Sequence, residues 1–131
     1  MCFFTRNPKV RISNKDIVVY KIVNGFVEDD GKKYYTSLFY GKDYELGELN
    51  EEIEIEPYNP YRSIKKPPIY RVEKGYHSYI SIEEIVGNNT SMMMYPKALV
   101  KCIVPKGSKY MKNDSEIVSS NIIIEEEIQC T

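Results

Sequence analysis

Tryptophan is absent from this 131-residue chain, histidine occurs once, at His77, and alanine once, at Ala98. One histidine and three scattered cysteines, Cys2, Cys102 and Cys130, argue against a zinc site, which needs three or four close-spaced ligands. Three widely separated thiols also do not describe a disulfide framework, so a reducing cytoplasm is the expected setting. The seven glycines stand singly and form no phosphate-cradling loop. No stretch of about 18 apolar residues exists to span a membrane, and the opening Met1-Cys2-Phe3-Phe4-Thr5-Arg6 is too short for a signal peptide. Excess charge is missing too. Eighteen basic residues face nineteen acidic ones, a net charge of −1, so the molecule as a whole lacks the basic surplus that nucleic acid or anionic lipid requires.

What is plentiful is β-branched and aromatic. Isoleucine, valine and 12 tyrosines favour pleated sheet, and the scarcity of alanine removes the best helix former. Residues 17–23, Ile-Val-Val-Tyr-Lys-Ile-Val, read as a strand that ends in an Asn24-Gly25 turn, and residues 33–40 as a second strand after the turn Asp29-Asp30-Gly31. The alternation Glu-Glu-Ile-Glu-Ile-Glu over 51–56 puts Ile53 and Ile55 on one face of an edge strand and the carboxylates on the other. Residues 57–71 interleave four prolines with tyrosine and basic residues and read as a long loop. Residues 75–80 resume an extended pattern. Ser81 then caps the one credible helix, about 81–87, with Glu84 completing a capping box and Gly87-Asn88-Asn89 closing it. Residues 98–104 are apolar on both faces except at Lys101, as in a central strand. Ile117-Val118 and Ile122-Ile123-Ile124 supply the last strands, ending at Glu125-Glu126-Glu127. The expected fold is α+β and β-dominated: one mainly antiparallel twisted sheet or half-barrel with one short helix, forming a single domain over residues 1–131.

Four groups of residues are candidates for function. Tyr20, His77, Ser78 and Tyr79 form a polar-aromatic set for a small ligand. Tyr58, Tyr61, Arg62, Lys65, Lys66, Tyr70 and Arg71, in the proline-rich loop, pair aromatic faces with cations and suit a partner surface, although the acidic stretch 45–56 just before them can neutralise it. Removal of Met1 would expose Cys2 with its own α-amine beside the thiol, a nucleophile arrangement; the plainer alternative is that Cys2 opens a strand. Met92-Met93-Met94 is packing filler or an adaptable contact patch.

The order of Val19-Tyr20-Lys21, Tyr44-Glu45-Leu46-Gly47, residues 75–79, residues 100–110 and residues 119–124 resembles small uncharacterised proteins of phages, prophages and gut bacteria. That resemblance implies an accessory, virion or counter-defence role in host cytoplasm or virion. A second resemblance is to ADP-ribosyltransferases. Gly75-Tyr76-His77-Ser78 is similar to their glycine-aromatic-x-serine strand, and Val104-Pro105-Lys106-Gly107 to their valine-proline turn. Lys21 stands where that family has arginine, and Tyr79 and Ile80 replace its threonine and serine. The resemblance implies NAD as cofactor, with Lys21, Ser78 and Glu116 as the working residues if Asp114-Ser115-Glu116 is the catalytic strand start. In the other register, Ser119-Ser120-Asn121, no acid remains. The leading expectation is a non-enzymatic binding domain without a cofactor, engaging a protein partner or itself rather than nucleic acid or membrane. The alternative is an NAD-dependent transferase or its degenerate ligand-binding relative.

Overall fold

The computed structural model describes residues 3–36, 43–44, 46–58, 69–88 and 97–128. Among them are eleven strands and one helix: β1 (Phe3–Thr5), β2 (Arg11–Ile12), β3 (Ile17–Val27), β4 (Lys33–Thr36), β5 (Asp43–Tyr44), β6 (Tyr70–Val72), β7 (Tyr76–Tyr79), α1 (Ile82–Asn88), β8 (Lys97–Val104), β9 (Lys109–Lys112), β10 (Glu116–Ser119) and β11 (Ile123–Ile128). The fold is β-dominated, one twisted antiparallel sheet with a single short helix, as the β-branched composition implies. The main sheet runs β11-β8-β3-β7-β10-β9-β2, with the β4–β5 pair branching from β3, and it does not close into a barrel. A two-stranded sheet, β1 with β6, lies apart. No helix among the described residues is long and apolar enough to cross a membrane.

Strand alternation divides the apolar residues between two faces. The inner face carries Val19 and Val23 of β3, Ala98, Val100, Cys102 and Val104 of β8, Tyr76, Ile117, Ile122 and Ile124. On the outer face, α1 lays Ile85 against Ile22, Leu99 and Tyr79. Farther along, Phe3 and Val72 of the small sheet seal Val118, Met111 and Ile55. The central strand expected over 98–104 is β8, held by β3 on one side and β11 on the other, which is why both its faces are apolar.

Several boundaries differ from expectation. Asn24-Gly25 is not a turn: β3 runs through it to Val27, because β4 pairs with Asn24, Gly25, Phe26 and Val27. The reversal comes at Asp29–Gly31, where Gly31 N–H donates to Glu28 O and Gly31 adopts φ +83°. The acidic triplet Glu125-Glu126-Glu127 does not end the last strand; β11 carries it to Ile128 through a bulge between Ile124 and Glu126. Residues 51–56 keep the expected alternation, with Ile55 buried and Glu52, Glu54 and Glu56 exposed. They form no named strand, and Ile53 N–H donates to Ser120 O. The expected loop 57–71 is structured at both described ends, at Tyr58 and in β6, while Tyr61, Arg62, Lys65 and Lys66 lie outside the described residues. Cys2, Cys130 and Met92-Met93-Met94 also lie outside them.

Gly75 positions β7. Its φ is +123°, and a Cβ there would stand 2.6 Å from Ile55 Cγ2 and 2.8 Å from Val118 Cγ2. Only glycine permits that approach of Ile55 to the sheet.

Candidate functional site

β3 has one constant neighbour and one that changes. On one side it pairs with β8 from Ile17↔Val104 to Asn24↔Lys97. On the other it meets β7 at Tyr20↔Tyr79 and β4 from Asn24↔Thr36. Lys21 stands in this fork, on the inner face, and is buried. Its Nζ donates to the main-chain oxygen of His77 at 2.6 Å and lies 5.8 Å from the centre of the Tyr44 ring. Burial pulls the ammonium down to about 8, with neighbouring Cys102 acting the other way.

The Tyr20↔Tyr79 register places Lys21 beside Ser78, whose hydroxyl is fully buried and has no hydrogen-bond partner. Cys102, opposite Val19, is a free buried thiol pushed up to about 12 by burial, and so a weak nucleophile at neutral pH. Burial also raises the Tyr44 phenol, reinforced by Tyr76 and Cys102. The Tyr76 hydroxyl donates to Glu51 O.

The outer face holds a second polar group. His77 Nε2 lies 2.8 Å from Glu73 O, so this nitrogen carries the proton and buried Nδ1 is left as an acceptor without a partner. Burial lowers the imidazole to about 4, despite the Glu73 carbonyl, which acts the other way; Lys21 lowers it further. Glu116 sits across from Tyr79 on this same face, its carboxyl raised by burial and its Oε2 unpartnered. Asn113 Oδ1 accepts from the amides of Ser115 and Glu116 and fixes the turn that presents it.

Alternation therefore sorts the expected sites. Tyr20, His77 and Tyr79 share the outer face, and Ser78 turns to the inner one. Lys21 and Ser78 are neighbours, but Glu116 faces the opposite side of the sheet, so the alternative trio does not meet on one face. Strand periodicity makes this unavoidable: Glu116 pairs with Tyr79, and Ile117 pairs with Ser78.

A third arrangement lies on the surface. Tyr58 and Arg71 exchange main-chain hydrogen bonds (3.0 and 2.7 Å), and Arg71 is also the partner of Phe4 in the small sheet. Phe4, Arg71 and Tyr58 form a row on the side away from buried Phe3 and Val72, with Phe4 41% and Tyr58 40% exposed. The guanidinium lies 5.9 Å from the centre of the Phe4 ring. Glu73 Oε1 holds both neighbours, accepting from Tyr58 OH at 3.0 Å and pairing with Arg71 Nη2 at 3.2 Å. Two surface clefts flank the row. One, of about 470 Å³, includes Phe4, Arg6, Ile69, Lys112 and Asp114; the other, of about 320 Å³, is lined by Glu56, Tyr58, Glu73 and Lys74.

Of the residues expected at a partner surface, Tyr58 and Arg71 stand in this row, whereas Tyr70 lies on β6, half-buried, facing inward with Thr5. Phe4 and Glu73 were not legible in the sequence, because nothing in a Phe-Phe pair says which ring faces water. Comparison of the chain with protein-family models, with curated proteins and with solved structures gives no match, so geometry alone must argue the site's role.

Proposed function

We propose that this chain is a non-enzymatic binding domain that docks a protein partner on the Phe4–Arg71–Tyr58 row. The observation that carries this reading is the row itself: two half-exposed rings on either side of a guanidinium, Glu73 holding Tyr58 and Arg71 together and the guanidinium lying near the Phe4 ring, with a cleft on either side. Pre-ordered aromatic and arginine side chains are what protein interfaces concentrate at their anchor points. The candidate nucleophiles are arranged otherwise. Lys21, Ser78 and Cys102 are all buried on the inner face, and Glu116 is on the other. An accessory, virion or counter-defence role in a phage setting, in host cytoplasm or virion, rests on the resemblance alone.

The test is a photo-cross-linking phenylalanine analogue placed at position 4, at position 58 and, as a control, at Val18, which is also exposed but lies on β3. A discrete protein adduct common to positions 4 and 58 and missing from position 18 supports the reading. Equal adducts at all three positions, or none, overturns it. Release of nicotinamide from NAD, abolished by Glu116→Gln, overturns it in favour of the transferase alternative.

A further inference from the structure

Charge is segregated along this chain. Residues 1–15 hold Arg6, Lys9, Arg11 and Lys15 and no acid, while residues 45–56 hold six glutamates and no base. Lys9, Arg11, Glu52 and Glu54 are exposed, and among the described residues none of them enters an ion pair.

Within one molecule the two segments stand apart. Ile53 N–H donates to Ser120 O, Ser120 N–H donates to Lys109 O, and Lys109 pairs with Ile12 of β2. Three strand spacings separate the two backbones, roughly 14 Å.

Each segment has a feature that suits the other. β2 is the end strand of the main sheet, paired with β9 on one side only, and its Ile12 is 68% exposed. Such an edge offers unpaired amides and carbonyls to another extended chain. Burial alternates along the acidic segment, Ile53 and Ile55 inward and Glu52 and Glu54 outward, and Lys9 and Arg11 share the same two-residue spacing in sequence. Glu52 and Glu54 border a surface cleft of about 360 Å³ with Lys109 and Ser120, with room for a long cationic side chain.

We infer that copies of this chain associate head to tail, the Glu52–Glu54 row of one copy receiving Arg11, on the open β2 edge of the next, and the exposed Lys9 just before that strand. Made in one direction only, the contact is heterologous and adds copies in sequence; a closed pair held by two reciprocal contacts would overturn the head-to-tail form. A net charge of −1 leaves little overall repulsion to oppose it. This surface is separate from the Phe4–Arg71–Tyr58 row and does not depend on that row's role.

Sedimentation equilibrium of the full chain at about 20 mM and about 500 mM salt tests the inference, since the contact is charged and exposed. Growth beyond a dimer at low salt, weakened at least about tenfold at high salt, is expected. The paired reversals Glu52→Lys/Glu54→Lys and Lys9→Glu/Arg11→Glu should each be monomeric at low salt, and an equimolar mixture of the two should associate again, because each retains the segment the other has lost. A wild type that stays monomeric at low salt, association that is indifferent to salt, or a mixture that stays monomeric overturns the inference. The salt series on the wild type stands even if a variant fails to fold.

Discussion

Lys21 Nζ and the main-chain oxygen of His77, 2.6 Å apart, join the two buried polar groups across the thickness of the sheet. The ammonium lies on the inner face, and the imidazole of the residue whose carbonyl it holds lies on the outer one. Where β3 passes from β7 to β4, a lysine supplies the donor for that carbonyl.

The buried ammonium makes stability rise with alkali. The folded-state value of about 8 lies below the ordinary 10.5, so between those limits the unfolded chain holds a proton that the folded chain has released. Relative to Lys21→Met, the wild type should gain about 3 kcal/mol from pH 8 to pH 10.5, read from urea denaturation. The comparison with the variant removes the opposing contributions of Tyr44 and Cys102, whose protons are held more tightly in the fold.

His77 governs the acid side. Its folded value of about 4 lies below 6.5, so the unfolded chain binds the extra proton as pH falls through that window. Relative to His77→Gln, the wild type should lose about 3 kcal/mol between pH 6.5 and pH 4, with no further difference below that. Glu116, raised by burial, acts in the opposite sense in both proteins and cancels in the difference.

Ser78 carries a buried hydroxyl without a partner, so removing it relieves a desolvation penalty. Ser78→Ala should stabilise the fold by about 1 kcal/mol in chemical denaturation. A loss of that size instead would mean that the hydroxyl is engaged in the folded protein.

Gly75 and Gly31 both have positive φ but differ in surroundings. Gly75→Ala drives a methyl into Ile55 and Val118 and should cost about 3 kcal/mol, whereas Gly31→Ala meets nothing within 4 Å and should cost about 1 kcal/mol, from backbone strain alone. Thermal or urea unfolding of the two variants measures the gap.

The sheet was legible in the sequence where composition and periodicity agreed. Residues 98–104 are largely apolar on both sides and form an interior strand, flanked by β3 and β11; Ile53 and Ile55 alternate with glutamates and turned inward. Asn24-Gly25 misled because a turn-forming pair says only what the backbone permits, and four cross-strand partners on β4 kept it extended. The candidate site was legible only in part. Alternation along β7 and β10 separates Ser78 from His77 and Glu116, but a motif read as a string of letters groups adjacent residues that a strand sends to opposite faces. Arg71 and Tyr58 were visible by composition; their alignment with Phe4 needed three segments brought together from distant parts of the chain.

Phe3 is fully buried and Phe4, next to it, is 41% exposed. Two identical rings side by side leave the hydrophobic effect unable to choose between them, since a slip of β1 by one residue would bury the other ring equally well. The choice falls to polar anchors: the Asn113 side-chain amide donating to Phe4 O at 3.0 Å, and the Arg71 guanidinium set against the outward ring. Loss of the Asn113 amide would thus remove a polar anchor that distinguishes Phe4 from Phe3, and a slipped first strand would exchange the buried ring for the outward one with little change in apolar burial.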